Sequence, residues 1–100
     1  MDIEHWRREI DEIDTELLRM LNMRARLATK VGVLKHAANI PFCDPERERV
    51  VLKRLEELND GPLDQRAIDK IFRRIIRESR RLQANIAETA TANNGAFKIE

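Results

Sequence analysis

The chain has a single cysteine, Cys43, in 100 residues, which excludes an intrachain disulfide. With only two histidines beside it, it makes a poor set of metal ligands. No apolar run exceeds a few residues, so no segment reads as a membrane-spanning helix. The opening stretch, "MDIEHWRREIDEID", is charged and periodic and lacks the apolar segment of a secretory signal. The compartment expected from these absences is the cytoplasm. Neither sign of charge is in excess. A net charge of +1 gives no bulk electrostatic case for nucleic acid or an anionic membrane. Strand signals and internal repeats are missing as well.

What is present is 42% hydrophobic and 37% charged residues, the balance of a folded helical chain and too apolar for a disordered one. One hundred residues make one domain at most, with a modest core. Ile3, Trp6, Ile10, Ile13, Leu17, Met20, Leu27, Val31 and Leu34 follow one another at helical spacing, in steps of 3 and 4 apart from one gap. No proline and only Gly32 interrupt them. The pattern predicts one helix from about Asp2 to about Ala38, roughly 55 Å long at 1.5 Å per residue. Such a helix cannot bury its stripe inside a globule this small, so a partner helix over most of its length is expected, and with it an oligomer.

"ANIPFCDPERE" separates this helix from the next. Pro41 disfavours helix before it, and Asp44 followed by Pro45 is a cap followed by a first helical residue. The second helix is predicted over Pro45 to Leu58, with Val51, Leu52, Leu55 and Leu58 as its apolar face. "NDGPLD" stops it, with Gly61 suited to a C-terminal cap and Asp64 to the next start. The third helix is predicted from Gln65 to Ala87, on Ile68, Ile71, Phe72, Ile75, Ile76, Leu82 and Ile86. "ETATANNGAFKIE" carries no amphipathic pattern, so residues 1–87 are expected to form the domain and 88–100 a loosely ordered tail or linker stub.

Three polar residues fall in the apolar stripes: Arg24 in the first helix, and Ser79 and Gln83 in the third. Each has a structural explanation. An arginine in a seam can set register or snorkel along its stem. A mid-helix serine can bond back to its own backbone. Together they suggest more. Ser79 and Gln83 are one turn apart and share a face. A buried guanidinium must meet an anion or several acceptors. Guanidinium, hydroxyl and carboxamide together suit a small polar anion. Lys35 lies 11 residues beyond Arg24, on almost the same face, about 16 Å along the axis. The plainer alternative is a solvated lysine at a helix C-terminus, favoured by the dipole. Arg47 and Glu48 in "DPERERV" read by themselves as surface charge.

"IDEIDTELLRMLNMRARLATKVGVLK", then "DPERE", then "IFRRIIRESRRLQ", in this order and spacing, closely resemble the all-helical chorismate mutases. The resemblance covers residues 3 to about 86. It implies an all-α fold, with three helices per subunit in an intertwined homodimer that shares its two active sites. It implies the Claisen rearrangement of chorismate, a dianion, to prephenate on the way to phenylalanine and tyrosine, with no cofactor and no metal. Carried over position by position, Arg24 resembles the arginine that clamps a substrate carboxylate. Arg7 resembles the arginine that reaches the other subunit's site. Lys35 and Gln83 resemble the donors to the ether oxygen. Glu48 resembles the acceptor for the ring hydroxyl, with Asp44 beside it. Arg47 and Ser79 resemble supporting contacts to the carboxylates. "FC" before Asp44 and the tail after Ala87 match nothing in the family.

Two alternatives stand beside this. Isochorismate pyruvate lyases share the fold and much of the site, although "DPERE" with Glu48 resembles the mutases more. The other is a helical dimerisation or regulatory module without catalysis, cut from a longer chain. Domains of this kind also occur fused to prephenate dehydratase, prephenate dehydrogenase or the pathway's first synthase.

Overall fold

The computed structural model describes residues 2–99, with side chains described as far as Thr89. Its three helices start where the sequence predicts, α2 and α3 after the capping residues Asp44 and Asp64. α1 (Ile3–Ala37) is capped by Asp2, whose carboxylate accepts the His5 backbone N–H at 2.9 Å. It closes in a left-handed turn. Asn39 has φ 56°, its N–H bonds to the His36 carbonyl, and the Ile40 N–H reaches the Lys35 carbonyl at 2.8 Å. Those paired bonds satisfy the Lys35 and His36 carbonyls in the last turn, and asparagine tolerates the turn's φ better than most residues.

α2 (Pro45–Leu58) begins at Asp44, which accepts the Arg47 N–H at 3.0 Å, with Pro45 in the first turn. It ends on Asn59 and not on Gly61. The Asn59 N–H bonds back to Leu55, while its side chain accepts from the Gly61 N–H and donates to the Leu63 carbonyl. Gly61, at φ 82°, serves the turn that follows. Leu58, expected on the apolar face of this helix, is exposed.

α3 (Gln65–Ile99) is capped by Asp64 through the Ala67 N–H at 2.8 Å. It does not stop near Ala87, as the amphipathic pattern suggested, but stays helical to Ile99. Losing the pattern removes a face to bury, not the propensity to coil. Glu88, Ala90 and Ala92 alternate with the poorer helix formers Thr89, Thr91, Asn93, Asn94 and Gly95, but no proline follows Pro62 to break the helix.

α3 lies against both α1 and α2. The chain measures 65 × 31 × 15 Å, with a radius of gyration of 18.2 Å. A compact chain of this length has about 13 Å. The thinnest dimension barely exceeds one helix diameter of about 10–12 Å, so the chain is a single layer of helices. Val51 and Leu52 are the only buried apolar side chains among the described residues, and neither is completely shielded. The seam of α1 lies open from Ile3 to Leu34, with Trp6 50% and Leu34 70% exposed. The accessible surface is 8403 Å². A compact monomer of this mass presents about 5,900 Å².

α1 and α3 approach closely at Gly32, the one buried residue of α1. A Cβ there would stand 2.6 Å from Gln83 Cγ and 3.0 Å from its Cβ. Glycine is what lets α3 come this close. Replacing Gly32 with alanine gains about 1 kcal/mol of helix propensity. The overpacking it causes costs about 1–3 kcal/mol. Gly32→Ala is therefore expected to lower the melting temperature and to displace Gln83. A variant that melts higher than the parent would show that the crossing has room to spare.

Candidate active site

Beside that crossing the three elements enclose a pocket of about 310 Å³. This is at the lower end of the range for small-molecule sites. Leu27, Ala28 and Val31 of α1 and Val51 and Ile76 of the other helices form its apolar walls. Arg24, Asp44, Arg47, Glu48, Ser79 and Gln83 supply polar groups, so six of the eight residues singled out in the sequence line one cavity.

Arg24 enters the seam to meet Ser79. Its Nη1 donates to Ser79 Oγ at 3.0 Å, and that hydroxyl donates in turn to the Ile75 carbonyl at 3.1 Å. The serine thus bonds back to its helix and also holds the guanidinium. Gln83 is 6% exposed, and its Nε2 donates to the Ala28 carbonyl at 2.8 Å. A carbonyl only accepts, so it fixes which end of the amide is nitrogen. That single bond uses one of the two amide hydrogens.

The charges are unequally engaged. Asp44 Oδ1 is occupied by the Arg47 N–H of the helix cap. Glu48, largely buried, faces Arg73 Nη1 at 3.4 Å. Arg24, Arg47 and Arg80 also line the pocket. Their positive charge exceeds what the two carboxylates neutralise, so an anion is the ligand the walls favour. On the outer surface of α2, the Arg49 hydrogen bond and charge hold the Glu46 carboxyl below its ordinary pKa. Glu46 is not in the pocket wall.

Two sequence candidates stand elsewhere. Lys35 is half-buried in the last turn of α1, one turn beyond Val31, and does not line the cavity. Arg7 is exposed in the second turn of α1 and pairs with Glu4 at 2.8 Å. It is 17 residues from Arg24, about 25 Å along the helix, and cannot reach this pocket within its own chain. Phe42 and Arg80 line the pocket without having been singled out. Arg80 had a signal, since it lies four residues after Ile76 and three before Gln83, within one turn of both.

Residues 6–84 match the family model of chorismate mutase type II. The chain belongs to the type II chorismate mutase family. A chorismate mutase of Methanocaldococcus jannaschii is 34% identical over 89 residues, 88% of this chain and 90% of that protein. A bifunctional chorismate mutase/prephenate dehydratase of Aquifex aeolicus is 43% identical over 79 residues, 75% of this chain but 22% of that protein. A second one, of Neisseria gonorrhoeae, is 36% identical over 91% of this chain and 25% of its own length. The chain thus spans about a quarter of these bifunctional relatives. A solved chorismate mutase of Thermus thermophilus has a TM-score of 0.81 at 35% identity, covering 82% of this chain and 93% of that one. All-α architecture is the family's, and among the described residues no helix is long and apolar enough to cross a membrane.

The contact of Gln83 with a carbonyl sets a test of its surroundings. In Gln83→Glu, an ionised carboxylate would face the Ala28 oxygen, so burial and that oxygen both favour the protonated acid. The folded-state pKa would lie above that of the unfolded chain. The penalty is then absent at acid pH and grows as pH rises through the unfolded value of about 4.3. Gln83→Glu is expected to melt below the parent at pH 7 and to close the gap toward pH 4.5. An equal gap at both pH values would mean that the side chain has left the carbonyl.

Proposed function

We propose that the chain is an isomerase that rearranges chorismate to prephenate, toward phenylalanine and tyrosine. The observation that carries this is the convergence of Arg24, Arg47, Glu48, Ser79 and Gln83 on one cationic pocket of small-ligand size. The reaction is pericyclic and needs no nucleophile, no cofactor and no metal. The protein has to fold the enolpyruvyl group over the ring, and to stabilise charge growing on the ether oxygen as the C–O bond breaks. Arg24 clamps one carboxylate, with Ser79 and Arg47 in support. Glu48 accepts from the ring hydroxyl beside Asp44. Gln83 gives its second amide hydrogen to the ether oxygen. Lys35 extends its ammonium past Val31 to the same oxygen.

The working form we propose is an intertwined homodimer of 1–87 domains, with 88–100 outside the catalytic unit. Its support is physical. The surface in excess of a compact monomer is about 2,500 Å² per chain, in the range that obligate partners bury. Leu27 and Val31 belong both to the open seam and to the pocket wall, so a second α1 laid on the seam would border the cavity. Arg7 of that second chain is then the residue that completes the site. A cytoplasmic setting fits the exposed, unpaired Cys43.

The test of activity is chorismate loss with prephenate formation by the purified chain. Pyruvate release from isochorismate, without any prephenate, would assign the lyase reaction instead. Site sharing is tested by co-expressing Arg7→Ala with Lys35→Ala. Each variant alone is expected to lose most activity, and hybrid dimers are expected to regain part of it, since one of their two sites has both residues intact. Verified hybrids without recovery would sink the shared site.

A further inference from the structure

Arg80 lines the pocket from α3, yet the proposed mechanism gives it no task. Its guanidinium is poorly provided for. Nη1 donates to Cys43 Sγ at 3.1 Å, and a thiol sulfur is a weak acceptor. Nε is buried without any hydrogen-bond partner, the single such side-chain atom among the described residues. An orphaned buried donor is destabilising, and a charged one more so. The pocket's carboxylates are engaged elsewhere, Asp44 by the helix cap and Glu48 by Arg73. A fixed structural arginine would have a stronger acceptor than sulfur. One that gives way to a ligand needs a weak one.

We infer that Arg80 is a further ligand-binding residue, whose guanidinium leaves Cys43 for a carboxylate of the bound dianion. Hydrogen bonds to a charged oxygen are shorter and about twice as strong as those between neutral groups. Nε and one Nη can donate in parallel to the two oxygens of a carboxylate, a contact of which lysine keeps the charge and one donor but not the fork. The exchange therefore satisfies the orphaned Nε and replaces a sulfur contact with an ionic one. Cys43 is a parking place in this scheme and touches no substrate. The identity of the dianion rests on the proposed function, whereas the carboxylate chemistry of Arg80 does not.

The experiment measures chorismate kinetics and, by calorimetry, succinate binding for the parent, Arg80→Gln, Arg80→Lys and Cys43→Ala, with the melting temperature of each. Arg80→Gln is expected to raise KM and weaken succinate by about 10- to 100-fold, the scale of a charged hydrogen-bond pair, with kcat little changed. Arg80→Lys is expected to recover part of that loss. Cys43→Ala is expected to bind at least as well as the parent, because the resting contact is gone. Arg80→Gln with the parent's KM and succinate affinity overturns the inference. So does an Arg80→Lys variant that folds but is as weak as Arg80→Gln, or a Cys43→Ala variant that binds worse. A parent that is inert on chorismate yet binds succinate through Arg80 removes the proposed activity and leaves this inference standing. A parent that binds neither overturns both.

Discussion

The rest of the structure depends on the close approach of α3 to α1 where Gly32 meets Gln83. An alanine Cβ would fall 2.6 Å from Gln83 Cγ, so the two helices are nearer here than side chains normally allow. That approach brings the Gln83 amide to the Ala28 carbonyl, one turn before Gly32. Two turns before Gly32, Arg24 then falls opposite Ser79, itself one turn before Gln83. The polar ladder across the pocket is thus two helices in step, with a single glycine setting their separation. The amide is anchored to main chain, which side-chain replacement at position 28 leaves in place.

The second constraint is the mismatch between α1 and what its own chain can cover. Thirty-five residues of helix carry a seam that lies exposed along its length, and Val51 and Leu52, the buried apolar residues among those described, are a small core for a protein of this length. Cooperative stability at this size generally requires more buried apolar surface than one layer of helices provides. The seam and the pocket share Leu27 and Val31. Folding stability and site architecture therefore draw on the same surface.

Much of this was legible in the sequence because it depended on local chemistry. Asp44 with Pro45, and Asp64, marked the starts of α2 and α3, since a capping carboxylate acts within three residues of itself, whereas the start of α1 was read from its apolar spacing alone. Arg24, Ser79 and Gln83 stood out as polar residues in apolar stripes, and the structure brings them to one cavity. Arg80 was passed over because its neighbours at 77, 78 and 81 are charged too, which masked its place within one turn of Ile76 and Gln83. Its acceptor, Cys43, is 37 residues away and became its neighbour only when the chain folded. The end of α3 was misplaced because amphipathicity reports which face is covered, and losing it does not break a helix that meets no proline. Asn59, whose N–H bonds back to the Leu55 carbonyl and whose side chain accepts from the Gly61 N–H, took the cap expected of Gly61.

The unbroken length of α1 limits how this protein can change over time. A substitution on the solvent side of the helix alters one position. An inserted or deleted residue rotates everything beyond it by about 100° and moves it about 1.5 Å. One half of the seam would then turn away from the other, and Arg7 would point a quarter-turn off its present direction relative to Arg24. Changes of three or four residues restore the phase only approximately, and seven comes closer. Along α1 the spacing is therefore more constrained than most of the letters, and lineages can drift far in composition while the count between Arg7 and Lys35 stays the same.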